Sequence, residues 1–356
     1  MSGDDQAWLY AGARKSPGQP LGMFRKAPGE AQWTVSGKGL PAELGVQAIT
    51  VHPENHSAVF MAGTDGAYRS DDHGGHWTKL PLPVANRQVW SILIHPRNPN
   101  ILYLGTAPVG VLRSDDGGAS WRSLPGATLP EYVKMPYPNR VVSLQAHPLD
   151  PETLFAGMEV GGVMRSTDAG ETWRDLSAPL IRLSEADPRL RKTRETDNEL
   201  EGVLDIHALS ISAAKPESVF LASRLGLFRS DNRGEDWIDM RFDRTFAHDY
   251  SHDITVSPTD DKTLYTCMAR DVFSEDGWLF QSRDLGASWS EVPLGRAVDG
   301  TAMALAFDPG FTANRNERMH LLSMRGQVLS SADGGASWSE SWLPEGVTWA
   351  QAIACG

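Results

Sequence analysis

A Ser-x-Asp-x-Gly-x-x-Trp run recurs at Ser70/Asp72/Gly74/Trp77, Ser114/Asp116/Gly118/Trp121, Ser166/Asp168/Gly170/Trp173, Ser282/Asp284/Gly286/Trp289 and Ser331/Asp333/Gly335/Trp338. A sixth copy, Ser230/Asn232/Gly234/Trp237, has Asn in place of Asp. The six tryptophans are spaced 44, 52, 64, 52 and 49 residues apart. Units recurring at such a period cannot bury their own apolar faces and must stack on one another. No segment of the repeat sustains a 3.6-residue apolar period, which excludes a helical solenoid.

Each copy closes a larger pattern. A first apolar run such as Val46–Pro53, Val89–Pro96 or Val141–Pro148 precedes a second at Val59–Gly63, Leu102–Gly105 or Thr153–Gly157. A third strand follows, as at Ala67–Ser70, Val111–Ser114 or Val163–Ser166, and the repeat Trp opens a short fourth. Four strands joined by tight turns form an antiparallel meander, the blade of a β-propeller. Near the N-terminus, Trp8–Ala13, Met23–Lys26 and Gln32–Ser36 supply strands two to four without a first, whereas Val347–Ala354 follows the last full unit. The expected fold is therefore all-β: a seven-bladed propeller of four-stranded antiparallel blades. Its first blade is closed by the N- and C-terminal strands, and residues 1–356 make one domain.

Within each copy the roles are structural. Ser and Asp side chains bond nearby backbone groups in turns, Gly adopts positive φ without a Cβ penalty, and Trp packs between blades. One carboxylate per copy falls well short of the roughly six to eight oxygens that calcium takes. The pattern resembles the Asp-box, or BNR, repeat of the sialidase-like propellers, from Met23–Trp33 through Trp338. That superfamily looks like the home of a photosystem assembly factor and of xyloglucan-degrading enzymes as well. The resemblance implies that the repeat turns stabilise the fold on the face opposite the ligand site. For a sialidase-like glycoside hydrolase it further implies an arginine triad, a tyrosine nucleophile supported by a glutamate, and an acidic proton donor. No motif here permits a residue-by-residue transfer, and seven blades depart from the six of the sialidases.

Strand order directs the search for function to the loops joining strands two to three and one blade to the next. Between strands two and three lie Arg14, Asp65, Glu159, Arg224, Arg270, Asp271 and Arg325. At the entrances to first strands lie Arg87, Arg140, Glu201, Asp205, His248, Asp249, His252 and Asp299. With a formal net charge of −12 the chain is not expected to bind nucleic acid, so an anion site would be a local exception. Arginine forks bind carboxylate, sulfate or phosphate. Arg14, Arg87, Arg140, Glu159, Arg224, Arg270, Asp271 and Arg325 are thus candidate substrate-binding residues.

The densest chemical cluster is His248-Asp249-Tyr250-Ser251-His252. His248, His252, Glu201, Asp249 and Tyr250 are the candidate catalytic groups. His207, His252 and Glu201 offer a candidate divalent-metal set, although His-x-x-x-His spacing carries ligand meaning mainly on a helix; no other cofactor is expected. The polar insert at 177–204, with Arg189, Arg191, Lys192 and Arg194, is expected to form a lid or partner surface between blades. Tyr132, Lys134 and Tyr137 sit on another long connection toward the same rim.

These residues point to a small-molecule enzyme acting at the channel mouth on a polar substrate, anionic or sugar-like, with hydrolase or lyase chemistry. The alternatives are a protein-binding or assembly-factor propeller and a sialidase-like hydrolase. Cys267 and Cys355 fall in separate blades and are expected to be free thiols. The chain has no membrane-spanning apolar stretch, and Met1–Asp5 has neither a basic end nor an apolar core, so a cytoplasmic location is expected.

Overall fold

A computed structural model describes residues 7–14, 22–128, 131–246, 248–309 and 317–356. Seven antiparallel sheets succeed one another along the chain, each following the order inner to outer strand. The first is a composite: Ala350–Cys355 forms its inner strand and pairs with Leu9–Ala13, which pairs in turn with Met23–Lys26 and Thr34–Val35. The ends of this pairing are held by Trp8 and Gly356, which exchange backbone hydrogen bonds of 2.8 and 3.0 Å. The expected seven-bladed architecture and its mode of closure are therefore present.

The six repeat turns share one geometry. The Ser Oγ accepts the N–H of the Gly four residues on at 2.7–2.8 Å. The same hydroxyl donates to the Asp, or to Asn232, at 2.7–2.9 Å. That side-chain oxygen then accepts an N–H four residues further along at 2.8–2.9 Å. The Gly sits at φ between 75° and 92°, where a side chain would be strained. Asn232 fits because its amide oxygen accepts the same bond.

The tryptophans face neighbouring blades. Trp77 of the second blade packs with Tyr10 and Met23 of the first, and its Nε1 donates to Ser36 Oγ at 3.0 Å. Blade-to-blade burial of this kind supplies the core, because a single four-stranded sheet has two apolar faces and covers neither alone.

Two elements depart from the repeat. Blade six gains a short fifth strand, Val298–Asp299, paired with Asp276–Ser282. The 177–204 segment contains a helix, Ala178–Ala186, with Pro in its first turn, and a single 3₁₀ turn at Pro188–Leu190. Leu180, Leu190, Val203 and Leu204 anchor this segment in the apolar cluster of blades four and five. Cys267 and Cys355 are buried free thiols. Met1–Asp5, the basis of the location expectation, lie outside the described residues. Among the described residues no helix is long and apolar enough to cross a membrane.

Candidate functional site

Every inner strand slips its register by one residue near its entrance. The extra residues are Gln47, Trp90, Val142, His207, His252, Met303 and Gln351, and a β-bulge of this kind re-aims a side chain. The residue after each bulge is small, Ala or Ser, in six blades; in blade six it is Asp253. All of these positions line one axial cavity of about 730 Å³. The bulges also free carbonyls that the preceding blade uses. His207 Nδ1 donates to Ser251 O and His252 Nδ1 to Met303 O, both at 2.7 Å, and Gln351 Nε2 donates to Val46 O at 2.8 Å.

Because a carbonyl only accepts, both imidazoles carry a proton on Nδ1. Their remaining nitrogens differ. His207 Nε2 faces Asp205 Oδ2 at 3.6 Å. Burial opposes charge on both groups, but their mutual attraction prevails, raising the His207 pKa and lowering that of Asp205. The His252 ring lies 5.4 Å from His207, and burial together with that neighbouring charge pushes its pKa down to about 3. His252 is thus neutral, with an Nε2 lone pair that has no partner among the described residues. Tyr250 lies 5.0 Å from His207. Burial, then the nearby Asp205 and Glu159, raises its pKa, so its hydroxyl keeps its proton. Asp253 accepts Leu305 N–H at 3.0 Å, and burial pushes its pKa up to about 6.

Arginines ring the mouth above these groups. Arg140 makes a bidentate pair with Glu159 and is held between Trp90, 3.9 Å from the ring centroid, and Tyr137, at 4.9 Å. Arg224 donates to Glu201 at 3.0 Å and approaches Asp205 at 3.3 Å. Arg14 is different. Its Nε donates to Gln351 at 2.9 Å and its guanidinium lies 3.9 Å over Trp349, but no carboxylate among the described residues pairs with it. Burial and the nearby Arg140 lower its pKa, yet an arginine remains cationic.

The candidate residues therefore divide. Arg14, Arg140, Glu159, Glu201, His207, Arg224, Tyr250 and His252 line the axial cavity. Glu201 is fully buried and already engaged: it accepts the N–H groups of Arg194, Glu195 and Thr196 at 2.8–3.1 Å, besides Arg224. Burial would raise its pKa, but those amides outweigh it and hold the carboxyl at about 2. Its position suits anchoring the insert rather than exchanging protons.

Other candidates face elsewhere. His248 stacks on Trp278 at 3.7 Å, and Asp249 pairs with Lys192 at 2.6 Å. Arg87 reaches the Pro108 carbonyl at 3.4 Å, and Arg325 pairs with Asp299 at 2.7 Å. Arg270 and Asp271 border a second cavity of about 420 Å³ beside the first. The equivalent blade positions of Arg14, Arg224, Arg270 and Arg325 thus do not bring all four to one point: Arg14 and Arg224 line the axial cavity, Arg270 borders the second, and Arg325 pairs with Asp299. Among the described residues no three His, Cys, Asp or Glu side chains are grouped to hold a metal ion. In the His207, His252 and Glu201 set, both Nδ1 atoms and the carboxylate are committed to other partners.

Trp90, Trp349 and Asp253 were not singled out from the sequence. A signal for two of them existed: stacking the seven copies of the pattern Val46-Gln47-Ala48-Ile49, through Ala350-Gln351-Ala352-Ile353, shows one variable position that includes Trp90. It also shows one acidic exception at the small position, Asp253.

No protein-family model matches this sequence, and no curated protein matches it significantly. Solved structures do share the fold. An ancestral GH74 enzyme is 19% identical with a TM-score of 0.59, covering 83% of this chain and 38% of its own. The GH74 xyloglucanase from Xanthomonas campestris is 20% identical with a TM-score of 0.60, covering 83% and 45%. YCF48 bound to D1 peptide is 18% identical with a TM-score of 0.52, covering 83% and 82%. The chain spans less than half the length of the two GH74 proteins. At such identities the likeness lies in the propeller itself, a fold that hosts both enzymes and non-enzymes.

Proposed function

We propose that the axial cavity binds a small, polyhydroxylated anion of the sugar-acid type and acts on it by hydrolase or lyase chemistry. The observation that carries this reading is Arg14, a cation at the cavity mouth with no carboxylate partner among the described residues. A cation held in that state is stabilised by an incoming anion. Its guanidinium stacks on Trp349 and lies 5.9 Å from the Trp90 centroid, an aromatic setting beside which a sugar ring can pack. Neutral His252 offers an acceptor and protonated Tyr250 a donor, the complement of substrate hydroxyls. In a hydrolysis Tyr250 is the group we assign to protonate the leaving oxygen, while water adds to the other side of the broken bond and returns a proton to the phenolate, whose charge Arg194 and Arg224 support.

Two alternatives have less support. A sialidase-like arginine triad would need three uncommitted guanidinium groups, whereas Arg140 and Arg224 already pair with Glu159, Glu201 and Asp205. A protein-docking rim would show a contiguous apolar patch. The exposed large hydrophobics among the described residues, such as Leu149, Ile238, Phe273 and Trp342, instead fall singly on different blades.

The reading is tested by calorimetric titration with glucuronate and galacturonate against glucose and galactose. Uronates should bind and neutral sugars should not, and Arg14→Met should weaken uronate binding about ten- to a hundredfold, as for loss of a charge-assisted contact. Equal affinity in the variant, or no uronate binding to the wild type, would overturn it.

A further inference from the structure

The mouth has a second compartment that neither the bulge ring nor Arg14 explains. It is the cavity of about 420 Å³ between the insert and blade six, and it shares Arg194, Arg224 and Tyr250 with the axial cavity. The two spaces therefore adjoin at Tyr250, Arg194 and Arg224, which wall both of them.

The chemistry of the second compartment repeats that of the first with different residues. Lys192, Arg194 and Arg270 supply cationic heads, and Phe273 supplies an aromatic face that is 59% exposed. Arg194 lies 5.3 Å from the Phe273 centroid, and Phe273 meets Trp349 edge-on at 5.4 Å. An unbroken series of cation and ring, Arg14–Trp349–Phe273–Arg194, thus joins the two compartments. The ion pairs made by the second set are solvent-exposed: Lys192 with Asp249 at 2.6 Å and Arg270 with Asp276 at 3.6 Å. Exposed pairs contribute little stability, so a ligand anion can replace the protein carboxylate at small cost.

We infer that the ligand of this site is an oligomeric sugar acid of at least two units. One carboxylate sits at Arg14, and the next unit lies across Tyr250 against Phe273 with its anion at Lys192 and Arg270. This rests on the Arg14 reading above and extends it. The linkage between the two units then lies beside Tyr250, whose hydroxyl would protonate the leaving glycosidic oxygen as the C–O bond breaks, with water supplying the replacing hydroxyl and returning a proton to the phenolate. The insert at 177–204 has a corresponding purpose: Glu201 clamps residues 194–196 so that Lys192 and Arg194 wall the second compartment.

The experiment compares monomeric glucuronate, galacturonate and mannuronate with their 1,4-linked dimers, by calorimetry, on the wild type, Arg14→Met and the double variant Lys192→Ala/Arg270→Ala. At least one dimer should bind the wild type about tenfold or more tightly than its monomer. The double variant should lose that advantage while keeping monomer affinity, and Phe273→Ala should lose part of it. Lys192 and Arg270 are exposed, and an unchanged melting temperature checks that the double variant is folded. A dimer that binds no tighter than its monomer, or keeps its advantage in the double variant, overturns the two-unit ligand but leaves the Arg14 site standing. Absence of binding by every acid, or binding unaffected by Arg14→Met, removes both.

Discussion

The two faces of this propeller are built from the same seven blades yet use repetition in opposite ways. On one face the Ser Oγ of all six turns accepts the Gly N–H at 2.7–2.8 Å, from Ser70 to Ser331. On the other, seven bulges carry the same backbone irregularity but vary in side chain, with Gln47 and Gln351, Trp90, Val142, His207 and His252, and Met303. Identical chemistry in identical geometry indicates a shared task, holding the blade edge. Different chemistry in identical geometry makes a scaffold on which a single asymmetric site can be assembled, and the histidines, Asp253 and Trp90 are that asymmetry.

The contrast can be broken most forcefully at Glu201, which belongs to the mouth but is proposed to act as an anchor. Glu201→Ala leaves the half-buried Arg224 with Asp205 as its remaining partner and the amides of residues 194–196 without their acceptor, and should destabilise the protein by about 2–4 kcal/mol. Urea denaturation measures this. A loss below about 1 kcal/mol would mean that the insert is not held by this carboxylate and that Glu201 is free for other work.

Asp253 sharpens the contrast from inside the channel. Its pKa is raised by burial to about 6 in the folded protein, so the folded state binds the proton more tightly than the unfolded chain. Stability from this group is present below pH ~4, where the carboxyl is protonated in both states, and is lost as pH rises through about 6. Raising the pH from 4 to 7 should therefore cost the wild type about 2 kcal/mol more than Asp253→Asn, a figure reduced from the full shift because the channel admits water. Parallel pH–stability curves for the two proteins would show that Asp253 titrates normally.

The smallest effect belongs to the repetitive face. Ser166→Ala removes the acceptor for the buried Gly170 N–H and should cost about 1–2 kcal/mol. Uronate affinity should not change. A loss of binding comparable to that of Arg14→Met would mean that the two faces are coupled and that the division of labour drawn between them is wrong.

Several of these features were legible without coordinates. The Ser-to-Trp spacing reveals the blades, because a turn with fixed internal hydrogen bonds imposes fixed separations along the chain. The unmatched strands at the two ends reveal the closure, because an inner strand absent at one terminus and supernumerary at the other has one pairing available. The choice of mouth over repeat face follows from strand alternation, and it places Arg14, Arg140, Arg224, Tyr250 and His252 at one cavity.

Which of the charged residues remain available was decided only by tertiary structure. Arg14 and Arg325 occupy equivalent places after their second strands, yet Asp299 reaches Arg325 at 2.7 Å and no described carboxylate reaches Arg14. Glu201 and His252 likewise stand near neighbouring strand entrances, one engaged by backbone amides and the other left with a lone pair. Repeat spacing determined the scaffold because it is a local property that every blade states again. Ion pairing and bulge orientation are stated once each, by partners up to hundreds of residues apart, and exist only when the ring is closed.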